Sequence, residues 1–235
     1  MNLMGLQGGQ YKPLSSEQIT TIHEASLKIL EHAGITYEAG LEETIKLLET
    51  NGTSIDMDQK RIRFPKELVT TQVALAPEKV LLCGQDPKND MNLTEDRVHL
   101  GTGGAAIKIL DPDTGNIRST TLYDLYKVSR LVDQLSNIHF LVRPCIPTDI
   151  DKKDYDINMF YTCLAASGKH VMSGVNDEEG LHRVMELAAM IMGGKEKLKK
   201  RPIISITACF AISPLKLCTQ STRIMQEAIR NFVPV

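Results

Sequence analysis

The sequence lacks the features of nucleic-acid-binding and membrane-spanning proteins. Its 27 lysines and arginines are offset by 29 aspartates and glutamates, so the net charge is −2 and no basic excess is available for a phosphate backbone. No run of 18 apolar residues occurs, and the opening MNLMGLQGGQYKP has neither the basic head nor the apolar run of a signal peptide. We therefore expect a soluble cytoplasmic protein without nucleic-acid or membrane partners.

The sequence also offers little for a disulfide framework or a metal site. Its five cysteines form no C-x-x-C pair and their number is odd, while the six histidines are scattered along the chain. Structural zinc sites need closely spaced cysteine and histidine ligands. We therefore expect reduced thiols and no bound metal.

The N-terminal part of the sequence predicts α+β structure. LSSEQITTIHEASLKILEHAG is typical of an amphipathic helix, with a capping box formed by Ser15 and Gln18 and a stop at Gly34. A second helix is predicted over GLEETIKLLETNG, then a hairpin over SIDMDQKRIRF and a short helix that begins at Pro65. Between residues 79 and 119, apolar runs separated by turn residues predict a small antiparallel sheet.

Strands and helices alternate along the rest of the chain. After a helix capped by Thr121 and Asp124, four apolar β-rich runs begin at residues 138, 170, 203 and 233, with a helical segment in each gap. A period of about 30 residues is typical of βαβ units with a parallel sheet. The predicted fold class is α/β: an N-terminal α+β region over residues 1–120, then the first three βα units of an incomplete TIM-type β/α barrel over residues 121–235.

The last four residues, FVPV, fall where the fourth strand of this series is expected to begin. A parallel sheet that stopped on such a stub would leave backbone groups and an apolar face open. A complete eight-stranded barrel needs about 250 residues by itself. We therefore expect the sequence to be the first half of a longer protein, truncated at its fourth barrel strand.

Six stretches, taken in order, resemble a known family. They are LSSEQITTIHEASLKILEHAGI, RIRFPKELVTTQVALAPEKVLLCGQDPKND, GTGGAAIKILDPDTGNIRSTTLYDLYKVSRLVDQLSNIHF, PTDI, GKHVMSGV and RPIISITACFAISPLKL. As a series they resemble the N-terminal half of the trimethylamine:corrinoid methyltransferase family. That family includes pyrrolysine-containing trimethylamine enzymes and relatives without pyrrolysine that act on glycine betaine and similar quaternary amines.

The resemblance implies a reaction in which a methyl group moves from trimethylamine or a quaternary amine to the cobalt of cobalamin, a corrinoid carried by a partner protein. The chain itself would then bind no cofactor directly. A quaternary amine leaves as a neutral amine, so positioning is the main demand, whereas trimethylamine must first become a leaving group, the role proposed for pyrrolysine. The main catalytic residues are expected in the missing half, and the full-length protein is expected to form homo-oligomers.

Two alternatives remain open. The chain could be a short non-catalytic binding or assembly protein that retains the docking surface for the corrinoid protein. It could also be an enzyme that carries out another β/α-barrel reaction. The sequence does not decide between the two substrate branches of the family.

Candidate substrate-pocket residues follow the predicted strands, because β/α barrels carry their chemistry at the carboxyl ends of the strands. Asp149 could meet a substrate ammonium or instead be a cap or turn carboxylate near the next helix. Arg143, where the family usually has an uncharged residue, could hold a betaine-type carboxylate or instead form a salt bridge at the rim. In ACFAISPLKL, Cys209 and Ser213 match a family pattern and Phe210 could offer a cation–π face, although Cys209 and Phe210 could equally be packed in the core.

The glycine-rich stretch GTGGAA at residues 101–106 lacks the spacing of a dinucleotide-binding loop and the lysine of a P-loop. Tight backbone between two strands is the favoured interpretation. The resemblance would place this stretch near the mouth of the barrel, which makes Gly101, Gly103 and Gly104 candidates for contact with the cofactor.

Three further polar residues of the repeat region are interpreted as structural. His170 stands at the start of its predicted strand, the end away from barrel chemistry. Asn176 and Asp177 precede a predicted helix and are expected to cap it.

Overall fold

The computed structural model describes residues 5–235, which form eight α-helices and fourteen short strands. Residues 1–4, the first residues of MNLMGLQGGQYKP, lie outside the described residues. The helices are α1 (Ser16–Lys28), α2 (Glu42–Thr50), α3 (Lys66–Ala74), α4 (Leu122–Gln134), α5 (Tyr155–Ala166), α6 (Glu178–Met192), α7 (Lys195–Lys200) and α8 (Thr219–Arg230).

The strands are short, with two to four residues each. They are β1 (Leu6–Gln7), β2 (Ile35–Tyr37), β3 (Ser54–Asp56), β4 (Arg61–Arg63), β5 (Lys79–Leu82), β6 (Met91–Thr94), β7 (Arg97–Val98), β8 (Lys108–Leu110), β9 (Ile117–Ser119), β10 (Phe140–Val142), β11 (His170–Ser173), β12 (Ile204–Ile206), β13 (Ala211–Ile212) and β14 (Lys216–Leu217).

The chain divides into two units whose boundary differs from the one expected after residue 120. The first unit contains residues 79–208 with short segments that end at residue 7 and begin at residue 224, and the second contains residues 8–78 and 209–223. The difference has a physical cause. Part of the segment 79–119 pairs with the parallel sheet, whereas β14 pairs with the N-terminal strand β2.

A parallel sheet of order β10–β11–β12 forms the centre of the first unit, as the period of the sequence predicts. The fourth apolar run lies beside it, because the N–H of Ile206 donates to the carbonyl of Pro234 at 2.9 Å. Helices α5 and α6 connect the strands. Apolar side chains from the strands and from α4, α5 and α6 make up one core, which includes Leu125, Leu141, Met159, Phe160, Val171, Leu181, Val184, Ile204 and Ile206.

The residues expected to form one small antiparallel sheet instead belong to three separate two-stranded ladders, one of which includes β1 from outside that segment. These pair β1 with β7, β5 with β6, and β8 with β9. Between β7 and β8 the chain runs beside β10, where Gly101 forms a parallel bridge with Phe140 and Ala106 one with Cys145. Backbone groups in this segment are thus satisfied by the parallel sheet and not by a neighbouring hairpin.

The second unit is built on a five-stranded sheet of order β13–β14–β2–β4–β3. β3 and β4 form the hairpin that SIDMDQKRIRF predicts, and α2 and α3 follow the predicted helices closely. The hairpin β13–β14, joined to β2, was not predicted. A small core of buried residues holds this unit together: Leu41, Ile45, Ile62 and Leu217.

Helix α1 begins and ends as its sequence predicts. The N–H of Gln18 donates to Ser15 Oγ at 3.2 Å, and the N–H of Ser15 donates to Gln18 Oε1 at 2.8 Å. A π-helical segment continues the helix to Gly34, whose φ is +66° and where a Cβ would clash with a carbonyl oxygen. The predicted apolar face is less covered than expected, since Ile19 and Ile22 are more than half exposed in the described chain.

The observed fold is therefore mixed α/β. No helix within residues 5–235 combines the length and apolar character that a membrane span requires.

Candidate functional site

The strand-end site consists of the loops that follow β10 and β11, residues 143–149 and 173–177, with residues 101–106 beside them. Active sites on parallel sheets form at the carboxyl ends of the strands, because the loops there converge from several strands. All three segments belong to the first unit.

The glycine-rich segment lies directly against β10. A Cβ at Gly101 would lie 2.5 Å from the Phe140 ring, which is closer than any side chain tolerates. Gly103 has open space around it, with no atom within 4 Å of a Cβ, and Gly104 has a φ of +94°. The tight backbone expected for this segment is thus present at Gly101. No contact within residues 5–235 explains Gly103.

Asp149 caps a helix in the structure. Its Oδ1 accepts a hydrogen bond from the N–H of Leu122, the first residue of α4, at 2.9 Å. Thr148 strengthens this connection, because its hydroxyl and its N–H both donate to the carbonyl of Thr120. The loop after β10 is therefore fixed to the start of α4. This geometry favours a capping role for Asp149, but the helix that it caps is the preceding α4 and not the next helix along the chain.

Arg143 is the first residue after β10, and its side chain is partly buried. The guanidinium lies 5.8 Å from the centre of the Tyr155 ring, and Nη1 is 3.5 Å from the hydroxyl of Tyr155. Its Nε is buried and has no hydrogen-bond partner. No Asp or Glu among residues 5–235 approaches the guanidinium within 4.0 Å. The rim salt bridge considered for Arg143 is therefore not formed within the described chain.

Asp156 is a nearly buried carboxylate of the site that the sequence analysis missed. One of its oxygens accepts from the N–H of Asn176 at 2.8 Å, and the other accepts from the side-chain amide of Asn176 at 3.0 Å. Burial raises the pKa of Asp156, and the hydrogen bonds from Asn176 oppose that shift. Asp156 thus ties the start of α5 to the loop after β11. A carboxylate near a helix start was the only sequence signal for it.

Of the two residues expected to cap α6, only Asp177 does so. Asp177 is the N-cap, and its Oδ1 accepts from the N–H of Gly180 at 2.8 Å. Asn176 instead bonds Asp156. Gly180 is required there, because a Cβ would clash with the carboxylate of Asp156.

Cys209, Phe210 and Ser213 belong to the second unit, although they follow β12 in the sequence. They lie in and before the hairpin β13–β14, and all three are exposed in the described chain. The carbonyl of Phe210 accepts from the N–H of Cys218 at 2.8 Å, which closes the hairpin. The core-packing interpretation of Cys209 and Phe210 does not describe their observed surroundings.

His170 is structural, as predicted. Nδ1 lies 2.9 Å from the carbonyl oxygen of Cys83, which can only accept, so Nδ1 carries the proton. Nε2 then accepts from the hydroxyl of Ser205 at 2.9 Å. Complete burial lowers the pKa of His170 to about 4.

Comparison with known proteins identifies the family. The family model described as trimethylamine methyltransferase (MTTB) matches residues 4–235. The chain belongs to this family. The resemblance found in the sequence is therefore confirmed, and the match includes both units of the fold.

Curated members of the MTTB family show how much of such a protein the chain represents. Trimethylamine methyltransferase MttB of Desulfitobacterium hafniense (strain DSM 10664 / DCB-2) is 30% identical over 94% of this chain and 44% of its own length. Glycine betaine methyltransferase of D. hafniense (strain Y51) is 28% identical over 91% and 43%, and MttB of Methanosarcina thermophila is 25% identical over 98% and 48%. The chain spans about half the length of the curated relatives it matches.

One solved structure resembles the MTTB-family chain only weakly. It is described as "Crystal structure of the hydroxylamine MtmB complex", with 10% sequence identity and a TM-score of 0.43. The similarity covers 90% of this chain and 48% of that one.

Proposed function

We propose that this chain forms part of a corrinoid-dependent methyltransferase, which moves a methyl group from a methylated amine to the reduced cobalt of a corrinoid protein. The observation that carries the proposal is the family match over residues 4–235. Relatives named for methyl transfer from trimethylamine and from glycine betaine support it. The methylated amine and the corrinoid protein are its substrates.

The proposed reaction is a nucleophilic substitution at a methyl carbon. The electron pair of the reduced cobalt forms the cobalt–carbon bond while the carbon–nitrogen bond breaks, and the amine leaves with the pair of that bond. A quaternary ammonium leaves as a neutral amine and needs no proton. The protein must therefore hold the ammonium so that one methyl group faces the cobalt, and such positioning supplies a large part of the rate.

The strand-end site is the region of the described chain that we assign to this task. In the proposal, β10, β11 and β12 with their helices are the first units of a β/α barrel, and its substrate lies at their carboxyl ends. The loops there are held firmly, since Asp149 binds the start of α4 and Asp156 binds Asn176. Rigid loops of this kind are what alignment of a small substrate requires.

The test is methyl transfer by the polypeptide that contains these 235 residues. Purified protein is mixed with reduced corrinoid protein and with trimethylamine, glycine betaine or choline, and methylation of the corrinoid is followed by its absorbance. We expect methylation that depends on both the protein and one of the amines. Absence of transfer with every amine, despite binding of the corrinoid protein to a folded chain, would favour the alternative of a non-catalytic binding protein.

Homo-oligomer formation stays a prediction. Light scattering on the same preparation measures it directly, and a monomer at assay concentrations would contradict it.

A further inference from the structure

We propose that helix α1 carries a self-association surface, through which the chain binds a second copy of itself. The surface is the α1 stripe, which consists of Ile19, Ile22, Ser26 and Ile29. This inference does not depend on the proposed function. It names the contact surface of the homo-oligomer that the sequence analysis expects, and no motif in the sequence indicates that surface.

The charged side of α1 packs against its own chain. Nζ of Lys66, the first residue of α3, lies 2.8 Å from Oε2 of Glu24, and the N–H of Lys66 donates to Oε1 of Glu31 at 3.3 Å. Glu17 precedes Glu24 by seven residues and Lys28 follows it by four, so both lie on the same side of the helix. All the Asp, Glu, Lys and Arg residues of the helical segment 16–33 therefore share one side.

The α1 stripe lies on the opposite side and is open to solvent. Ile19, Ile22 and Ile29 are 55%, 54% and 48% exposed. A surface helix normally has the reverse arrangement, with its apolar side toward the core and its charged side toward water. Single exposed apolar residues are common, whereas a row of three isoleucines on one helix face is typical of an interaction surface.

The spacing of the α1 stripe fits a second helix. Its residues stand at positions i, i+3, i+7 and i+10, as the a and d positions of a coiled coil do, and such side chains pack into a facing helix. The spacing is the same when it is counted from the other end. An antiparallel second copy of α1 therefore presents a matching row, in which Ile19 would meet Ile29 of the second copy and Ile22 would meet its Ser26.

Ser26 suits the centre of this contact. Its hydroxyl donates to the carbonyl of Ile22 at 2.9 Å, so its hydrogen bond is already made when water is excluded. Its small side chain also leaves room for Ile22 of the second copy. Facing helices interlock well where large side chains alternate with small ones.

The distribution of charge favours a second copy over a charged partner or a membrane. The residues that flank the stripe, Gln18, His23, Ala25 and Leu30, include no Asp, Glu, Lys or Arg. Two copies can therefore meet without like-charge repulsion, and no flanking charge selects a charged partner. Helices that lie on membranes are rich in Lys and Arg on their polar side, whereas the polar side of α1 carries three glutamates and one lysine.

The α1 stripe continues into an apolar groove of the same unit. Leu30, beside the stripe, lines this groove together with Leu47 of α2 and Val73 of α3, which are 57% and 63% exposed. The helical segment 16–33 is about 27 Å long, and one helix pair of that length covers less than the roughly 800 Å² per partner of a standard interface. We therefore expect the groove to contribute and the dimer to dissociate at micromolar concentrations.

The experiment measures the mass of the polypeptide that contains this chain by light scattering across micromolar concentrations. We expect a dimer whose population rises with concentration. Ile22→Glu should weaken association at least about hundredfold, because a symmetric dimer contains the change twice and each buried unpaired charge costs at least about tenfold. Mixing Ile22→Glu with Ile22→Lys should restore a dimer with one copy of each, since opposite charges then meet.

Thr21→Glu is the matched control, because it places the same side chain at the adjacent exposed residue of α1, on the charged side of the helix. It should leave association unchanged. Amide exchange of the wild type is a second readout, and the amides of α1 should exchange more slowly as the protein concentration rises. Circular dichroism reports whether each variant folds. If Ile22→Glu does not fold, the amide exchange of the wild type decides the question.

A dimer that is as tight in Ile22→Glu as in the wild type would overturn the proposal. A monomer at every concentration would also overturn it, and protection of α1 in that monomer would show that another part of the same polypeptide covers the stripe. Equal losses of association in Ile22→Glu and Thr21→Glu would reject the stripe as the contact surface. A dimer that is lost in Ile22→Glu and restored in the mixture would support the surface, whether or not methyl transfer is observed.

Discussion

The guanidinium of Arg118 donates two hydrogen bonds to the carboxylate of Asp124, from Nη1 to Oδ2 at 2.6 Å and from Nη2 to Oδ1 at 2.9 Å. Asp124 is 1% exposed and also accepts from the N–H of Thr121 at 2.9 Å, which completes the cap of α4. These bonds, led by the one from Arg118, hold the pKa of Asp124 well below its usual range. One buried carboxylate thus joins the hairpin β8–β9 to the helix start that Asp149 also binds.

Replacing Asp124 with alanine should lower the free energy of unfolding by about 2–3 kcal/mol, because both the helix cap and the partner of Arg118 are lost. Urea denaturation at neutral pH measures the change. Lys127→Ala is the control: its Nζ is 3.7 Å from Asp124 but 45% of its side chain is exposed, so its loss should cost less than about 0.5 kcal/mol. Equal losses of unfolding free energy in the two variants would show that the buried pair of Arg118 and Asp124 stabilises the fold no more than the exposed lysine does.

His170 predicts a pH-dependent loss of stability. Its pKa falls from an ordinary 6.5 to about 4 in the folded chain, so its contribution is complete above pH 6.5 and is lost as the pH falls toward 4. Between pH 7 and pH 5 the wild type should lose about 2 kcal/mol more than His170→Gln. The free energy of unfolding at each pH is obtained from urea titrations.

The control for this pH dependence is His23→Gln, since His23 lies at an exposed position of α1. That variant should follow the wild-type profile. If His170→Gln loses as much stability as the wild type between the two pH values, another group is responsible for the pH dependence. Protonation of His170 would then not lower the free energy of unfolding.

The sequence predicts those parts of the fold whose causes are local. Ser15 with Gln18 and Thr121 with Asp124 cap their helices across three residues, so the signal is complete within a short window. The parallel strands can also be predicted from the sequence, because each is a continuous apolar run between two helices.

Other contacts depend on residues that are distant in the sequence. Asp156 meets Asn176 across 20 residues, and the hydroxyl of Thr36 reaches the carbonyl of Leu215 across 179. No periodicity encodes such pairs. For the same reason the motif around Cys209 was attributed to the strand it follows, although its hairpin pairs with β2. The place of Arg143 after a predicted strand marks it as a candidate in the sequence, whereas nothing in the sequence indicates that its Nε is buried without a hydrogen-bond partner.

Lys169 provides a test of one such non-local contact. It is 1% exposed, and its Nζ donates to the carbonyls of Val132, Leu135 and Ile138 at 2.6, 2.8 and 2.6 Å. These bonds satisfy acceptors at the end of α4. Lys169→Met should lower the free energy of unfolding by about 2–3 kcal/mol, because the three charge-assisted hydrogen bonds of the ammonium are lost. The carbonyls of Val132 and Leu135 keep the N–H groups of Leu135 and Ile138 as donors. Amide exchange should also quicken selectively at the end of α4.

Lys152→Met, at an exposed position of the same unit, is the control for Lys169 and should change stability by less than about 0.5 kcal/mol. If Lys169→Met proves as stable as this control, the three hydrogen bonds of the ammonium do not outweigh the cost of burying its charge.

Alanine substitutions at Gly101 and Gly103 test whether the segment 101–106 needs glycine for packing or for contact with a ligand. Gly101→Ala should cost about 1–3 kcal/mol, because its Cβ would lie 2.5 Å from the Phe140 ring, whereas Gly103→Ala meets no atom within 4 Å and should be stable. If this segment contacts the corrinoid, Gly103→Ala should still slow methyl transfer. Thermal unfolding and the corrinoid assay together decide it. Unchanged transfer in a stable Gly103→Ala variant would contradict cofactor contact at Gly103 and leave only Gly101 with an assigned role, in packing.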